Sequence, residues 1–187
     1  MDPLRAAASI TMREQLLIER AAGYPVPVST LPDKLGAISV AAEVFRQHRV
    51  PYALIGGLAV GVRSGVPRAT LDVDFAIPTT VERRSLTATL EARGFRLKGE
   101  FAHSINFEHT SGEPVQLAFD AGFDPIIERA EAVQFGDLEL YVVTKDDLIA
   151  MKRRAAADPT RRRSKALRDQ ADIALLEGDV PGPDEGW

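Results

Sequence analysis

Asp72 and Asp74 alternate with apolar residues in Thr70-Leu71-Asp72-Val73-Asp74-Phe75, and the run follows the diglycine Gly56-Gly57. Asp is disfavoured in strands, so two of them at i and i+2 need a reason. Strand alternation puts both carboxylates on one face, about 6.6 Å apart along the strand. Two carboxylates so spaced can bracket a divalent metal, or share a metal pair about 4 Å apart. Phosphoryl or nucleotidyl transfer is the chemistry such a site supports.

Further residue types point the same way. Gly56-Gly57 between a strand and a helix lets backbone N–H groups approach a phosphate, with the helix N-terminus adding favourable partial charge. Arg68 can neutralise phosphate oxygens, and Thr70 falls on the face of Asp72 and can donate from its hydroxyl. Taken singly, a diglycine is usually a turn, and Asp-x-Asp is often a surface polar pair or part of a structural calcium site. Joined in this order they read as a phosphate cradle followed by a metal site.

The elements that position these residues alternate between helix and strand. Apolar spacing predicts helices over 9–22 and 35–48, separated by Tyr24-Pro25-Val26-Pro27. Tyr52–Ile55 is a buried strand, 58–64 starts a helix after the glycines, and Leu71–Ile77 is the next strand. Thr80 is positioned to cap a helix over 81–93 that Gly94 stops. Strands follow at Phe95–Leu97, Ser104–His109 and Val115–Phe119, the last two joined by Ser111-Gly112-Glu113-Pro114. A short helix over 125–130 and a strand over 138–143 come next. Thr144 with Asp147 resembles a capping box for a helix to about 157. Ser164 is expected to cap a last helix ended by Gly178. The pattern is α/β (α+β): a mixed sheet flanked by helices, with a helical C-terminal portion. It divides into an N-terminal helical extension (1–34), one domain (35–178, helical from 145) and a Pro/Gly/acidic tail (179–187).

Composition bounds the alternatives. The 187 residues are 45% hydrophobic and 27% charged with net charge −4, so the chain lacks the global basic footprint of a nucleic-acid binder. Zero Cys excludes disulfides, thiolate zinc sites and thiol catalysis, and fits a cytoplasmic location. No stretch approaches the ~20 apolar residues of a membrane span, and the N-terminus lacks the apolar core of a signal peptide. His48, His103 and His109 have no ligand spacing, and neither a P-loop string nor a nucleophile elbow is present.

The run Gly56-Gly57, Arg68, Thr70, Asp72, Asp74 resembles the nucleotidyltransferase superfamily related to DNA polymerase beta, and within it the AbiEii-like and MNT-like toxin group. Val115–Phe119, Asp146–Lys152 and Arg168-Asp169 with Asp172 extend the likeness over roughly 35–177. The resemblance implies a nucleotidyltransferase-type sheet and Mg²⁺-dependent transfer of a nucleoside monophosphate from an NTP to an acceptor hydroxyl on RNA, protein or a small molecule. It also implies a toxin role with an antitoxin partner. Gly56 and Gly57 would hold the triphosphate, Asp72 and Asp74 the metal pair, and Lys152 would reach the triphosphate from the C-terminal helices.

One position departs from that pattern. The third carboxylate, which completes the catalytic metal site and helps activate the hydroxyl, falls at Gln116, a neutral side chain that cannot accept a proton. The expectation is a site that binds Mg-NTP, with one metal or two, but turns over weakly. The alternative function is a catalytically impaired nucleotide-binding or interaction module. Asp120, four residues on, is the candidate replacement ligand, though about 13 Å away at strand rise.

Residues 152–168 hold eight cations against one acid, Asp158. They read either as phosphate contacts to an NTP or RNA, or as a solvated helix pair. Asp169 and Asp172 share a helical face; they would pair with Arg168 or Arg154, or else position Lys152 or bind the acceptor.

Overall fold

The computed structural model describes residues 33–180 and 182. The expected helix over 9–22 and most of the tail lie outside these residues. Chain order is α1 (Lys34–Gln47), β1 (Ala53–Ile55), α2 (Gly56–Ser64), β2 (Val73–Ala76), α3 (Arg83–Glu91), β3 (Phe95–Glu100), β4 (Ser104–His109), β5 (Pro114–Ala118), a 3-10 turn (Ala121–Phe123), α4 (Asp124–Glu128), β6 (Glu131–Phe135), β7 (Leu138–Val142), α5 (Lys145–Ala157) and α6 (Arg163–Glu177).

The seven strands form one mixed sheet in the order β3-β4-β5-β2-β1-β7-β6. β2 lies at its centre, antiparallel to β1 and parallel to β5. Its Val73, Phe75 and Ala76 are fully buried, as a central strand requires. Phe75 meets Phe45 of α1 edge-on at 5.2 Å and Tyr52 at 5.6 Å, so α1 is fastened to the sheet face opposite Asp72 and Asp74. α2 packs on β1 and β2 and also touches α5 and α6. Arg63 near its end donates to the carbonyls of Val142 and Val143, 2.7 Å each, tying α2 to β7.

Several boundaries differ from the sequence expectation. α2 begins at Gly56 itself, not after the diglycine. β2 begins at Val73, which leaves Asp72 in the bend before it. By the register Val73↔Val115, Asp72 falls opposite Pro114, which has no N–H to extend the ladder. The cap of α3 is Glu82, not Thr80: its carboxylate accepts from the amides of Arg84 (2.9 Å) and Ser85 (2.6 Å). Ser164 lies inside α6, which starts after Arg162 with no side-chain cap. β3 runs on to Glu100. β6, which the sequence reading left out, pairs with β7 at the sheet edge. Thr144 caps α5 as expected, accepting from the Asp147 amide at 3.2 Å.

Removing the buried ring at the centre tests this packing. Phe75→Ala should destabilise the fold by about 3–5 kcal/mol in denaturant unfolding, because α1, Tyr52 and β2 meet on it.

Candidate active site

β2 brings Asp74 into register with Ile55 on one side and Gln116 on the other. Ile55 is followed at once by Gly56, whose φ of +70° is a left-handed conformation that favours glycine. A Cβ on Gly56 would collide with the Asp74 carboxylate, and one on Gly57 would come within 2.9 Å of both Cβ and Oγ1 of Thr70 and within 2.5 Å of the Arg68 guanidinium. The diglycine is therefore bare because Asp74, Thr70 and Arg68 all crowd against it. α2 has no side-chain cap at its N-terminus, so its first N–H groups remain available to an anion.

The acidic pair stands apart from its neighbours in how it is neutralised. Arg68 grips Asp172 with two nitrogens, one of them at 3.1 Å. Lys152 bridges Asp172 (2.8 Å) and Asp169 (3.0 Å), and Arg161 holds the far side of Asp169 at 2.5 Å. Both acids are almost fully buried. The result is one chain of ion pairs, Arg68–Asp172–Lys152–Asp169–Arg161, that closes α5 and α6 onto the diglycine. The acids of α6 thus pair with Arg68, Lys152 and Arg161, not with Arg168 or Arg154 as the sequence spacing suggested: they face α5 and α2 rather than the surface of their own helix.

Asp74, by contrast, makes no hydrogen bond or ion pair with the described residues, and Asp72 receives only the Thr70 hydroxyl at 3.2 Å. Burial, reinforced by the charge of Asp72, lifts the Asp74 carboxyl to about 7, against the pull of Lys152, Lys34 and Arg68. An uncompensated carboxylate beside a second one is a fitting seat for a cation. Among the described residues no three acidic or histidine side chains cluster as metal ligands; the place beside Asp74 belongs to Gln116. Its Nε2 donates to Asn106 Oδ1 at 3.0 Å, and Asn106 is its partner on β4. Asp74, Gln116 and Asn106 therefore lie side by side across three strands. Asp120 stands beyond the end of β5, where its carboxylate caps the 3-10 turn by accepting from the Gly122 amide at 2.8 Å.

Sequence reasoning passed over Lys34 and Glu113. They form a buried ion pair, and Lys34 also donates to the Leu71 carbonyl at 2.8 Å. Burial draws the Lys34 ammonium down to about 8, while Asp72 and Asp74 pull it up. No local pattern signals this pair, because its members stand 79 positions apart.

The family of nucleotidyl transferase AbiEii toxins, of type IV toxin–antitoxin systems, matches residues 40–185. The chain belongs to this family. Solved structures share its fold. The lincosamide antibiotic adenylyltransferase LnuA, bound to lincomycin, is 14% identical, with a TM-score of 0.57 over 80% of this chain and 99% of that one. ANT(2")-Ia in complex with adenylyl-2"-tobramycin is 20% identical, with a TM-score of 0.54 over 77% and 89%. An antigenic nucleotidyltransferase-like protein from Paracoccidioides brasiliensis is 21% identical, with a TM-score of 0.54 over 80% and 78%. Comparison with curated proteins gives no match. Family membership gives the diglycine, the acidic pair and the ion-pair chain a common setting in a nucleotidyltransferase fold. No helix among the described residues is long and apolar enough to cross a membrane.

The raised Asp74 carboxyl has a consequence for stability. Its pKa is higher in the fold than the ordinary 3.8, so the folded chain binds the extra proton and stability falls as pH rises from about 4 to about 7. Asp74→Asn removes that cost. Metal-free, the variant should exceed the parent by about 1–3 kcal/mol at pH 8 and by nothing near pH 4, read from urea unfolding at the two pH values.

Proposed function

We propose that this chain transfers a nucleoside monophosphate from Mg-NTP to an acceptor hydroxyl, with RNA as the acceptor. The observation that carries the reading is the pair Asp72/Asp74, left without a neutralising contact among the described residues beside the uncapped N-terminus of α2, while the buried acids around it are ion-paired. Asp72 and Asp74 would hold Mg²⁺, which when bound neutralises the triphosphate and polarises the α-phosphorus. Gly56 and Gly57 offer backbone N–H groups to the triphosphate, and Thr70 adds a hydroxyl. Arg68 and Lys152, locked by Asp172 and Asp169, present positive charge to the same place. The acceptor oxygen bonds to the α-phosphorus, the bond to pyrophosphate breaks, and the hydroxyl proton passes to solvent, because Gln116 cannot take it.

RNA is favoured by charge. Arg154, Arg162, Arg163, Lys165 and Arg168 are exposed on α5, α6 and their connection, and none has a carboxylate partner among the described residues. Five unpaired cations on a chain of net charge −4 form a local surface for phosphates. A cellular toxin role with an antitoxin partner, and a cytoplasmic site of action, follow from the family by analogy. The second reading, a nucleotide-binding module with impaired chemistry, rests on Gln116.

Incubation with α-labelled NTPs, Mg²⁺ and total RNA tests the reading. Label should pass to RNA and be lost with Asp72→Asn or Asp74→Asn. Mg-NTP binding by calorimetry without transfer to any acceptor would favour the second reading, and no Mg-NTP binding at all would sink both. Gln116→Asp should raise turnover by up to about 10²-fold if a missing base limits the reaction; unchanged turnover would show that Gln116 is no handicap. Replacing Arg162 and Arg163 by Glu should weaken RNA binding and lower its salt slope by about 1 per lost phosphate contact.

A further inference from the structure

The acidic pair has an unequal foundation. Asp74 sits within the β2 ladder, paired on both sides. Asp72 lies in the bend outside it, exposed, with the Thr70 hydroxyl as its side-chain contact. Something other than the sheet must fix where that carboxylate stands.

The nearest anchor comes from the opposite face. Lys34, the first residue of α1, is 4% exposed and Glu113, just before β5, is 1% exposed. Their ion pair joins α1 to the β4–β5 turn, and the same Lys34 ammonium donates to the carbonyl of Leu71 at 2.8 Å. Leu71 and Glu113 occupy equivalent places: each stands two residues before the first partners of the parallel pair, Val73 and Val115. One buried ammonium thus staples the entrances of the two strands that carry Asp74 and Gln116. The carbonyl it holds belongs to the peptide unit that leads directly into Asp72. Glu113 in turn is fixed from behind, its own carbonyl accepting from the His109 amide at 2.9 Å.

We propose that Lys34, paired with Glu113, is a positioning residue: it pins the backbone at Leu71 and thereby sets the Asp72 carboxylate against Asp74 for a divalent cation. This inference rests on the metal–nucleotide reading above, and it adds α1 to the elements that build the site. A buried pair retained only for stability could be exchanged for apolar side chains without loss to the site. A staple could not, since the Leu71 carbonyl would lose its donor.

The deciding variant is therefore the double substitution Lys34→Met with Glu113→Leu. It removes a cation that acts on Asp74 from a distance, a loss that by field alone would strengthen cation binding, so weaker binding reports position and not field. Two readouts are needed. Amide hydrogen exchange of the metal-free chain should quicken across residues 70–74 in the double variant while the centre of β5 stays protected. Mn²⁺ binding followed by electron paramagnetic resonance should weaken by about 10–100-fold, the usual cost of losing an outer partner of a metal ligand, at a melting temperature close to the parent's. A double variant that folds, exchanges as the parent does over 70–74 and binds Mn²⁺ equally well would overturn the staple. Should the double variant fail to fold, Lys34→Met with Glu113→Gln, which leaves a neutral amide in place of the buried acid, serves instead: the staple requires quickened exchange at 70–74, and parental exchange there overturns it. A parent chain that binds no Mn²⁺ overturns the metal–nucleotide reading, and the exchange measurement still decides whether Lys34 holds the Asp72 segment.

Discussion

The half-buried carboxylate of Asp74 is the constraint to which the surrounding structure answers. Removing an ionised carboxylate from water is costly unless a partner neutralises it, and no described residue gives this one a hydrogen bond or an ion pair. The site tolerates the cost through geometry. Gly56 withholds a side chain so that the carboxylate fits, and its left-handed backbone turns β1 directly into α2. Lys34, Lys152 and Arg68 act on Asp74 from a distance without contact. A cation entering from solvent would find two carboxylates already held and not yet spent.

The C-terminal helices complete the enclosure by the opposite strategy. Asp169 and Asp172 are more deeply buried than Asp74, yet each is paired twice. Their ion-pair chain uses Arg68 and Lys152 as shared members, so both cations are oriented from behind by an acid of α6. A buried ionic network of this kind is weak evidence for stability; here it fixes the direction in which charge is presented. The remaining cations of the segment are exposed; Arg153 pairs with Glu177, and Arg154, Arg162, Arg163, Lys165 and Arg168 have no carboxylate partner among the described residues.

Much of this organisation can be read from the chain because it is local. Apolar spacing located α1 and α3, and Thr144 marked the start of α5 through a hydroxyl only three residues from its amide partner. Elsewhere the exact start of a helix, or residues distant in the chain, decided. β6 leaves most of its side chains in solvent and its apolar residues Ala132, Val133 and Phe135 do not alternate with polar ones; pairing with β7 makes it a strand. Glu82 caps α3 in place of Thr80 because the helix starts directly after it, which brings the Arg84 and Ser85 amides to its carboxylate. Spacing along one helix could offer Asp169 and Asp172 only neighbours such as Arg168, whereas the cations that reach them arrive from α5, from the turn before α6 and from the loop before β2.

By itself the sequence determined which residue types stand together: a diglycine, an acidic pair two residues apart, and a glutamine in the strand-like run Val115–Phe119. Those are properties of short stretches, set by backbone freedom and side-chain charge. The tertiary structure alone decided which acids are neutralised and which are left open, because charge pairing in a fold depends on side chains that meet across 79 or 104 positions. It also decided that Gln116, and not Asp120, lies beside Asp74: strand register is fixed by the sheet as a whole, where a carboxylate a few residues further on is already capping the next turn.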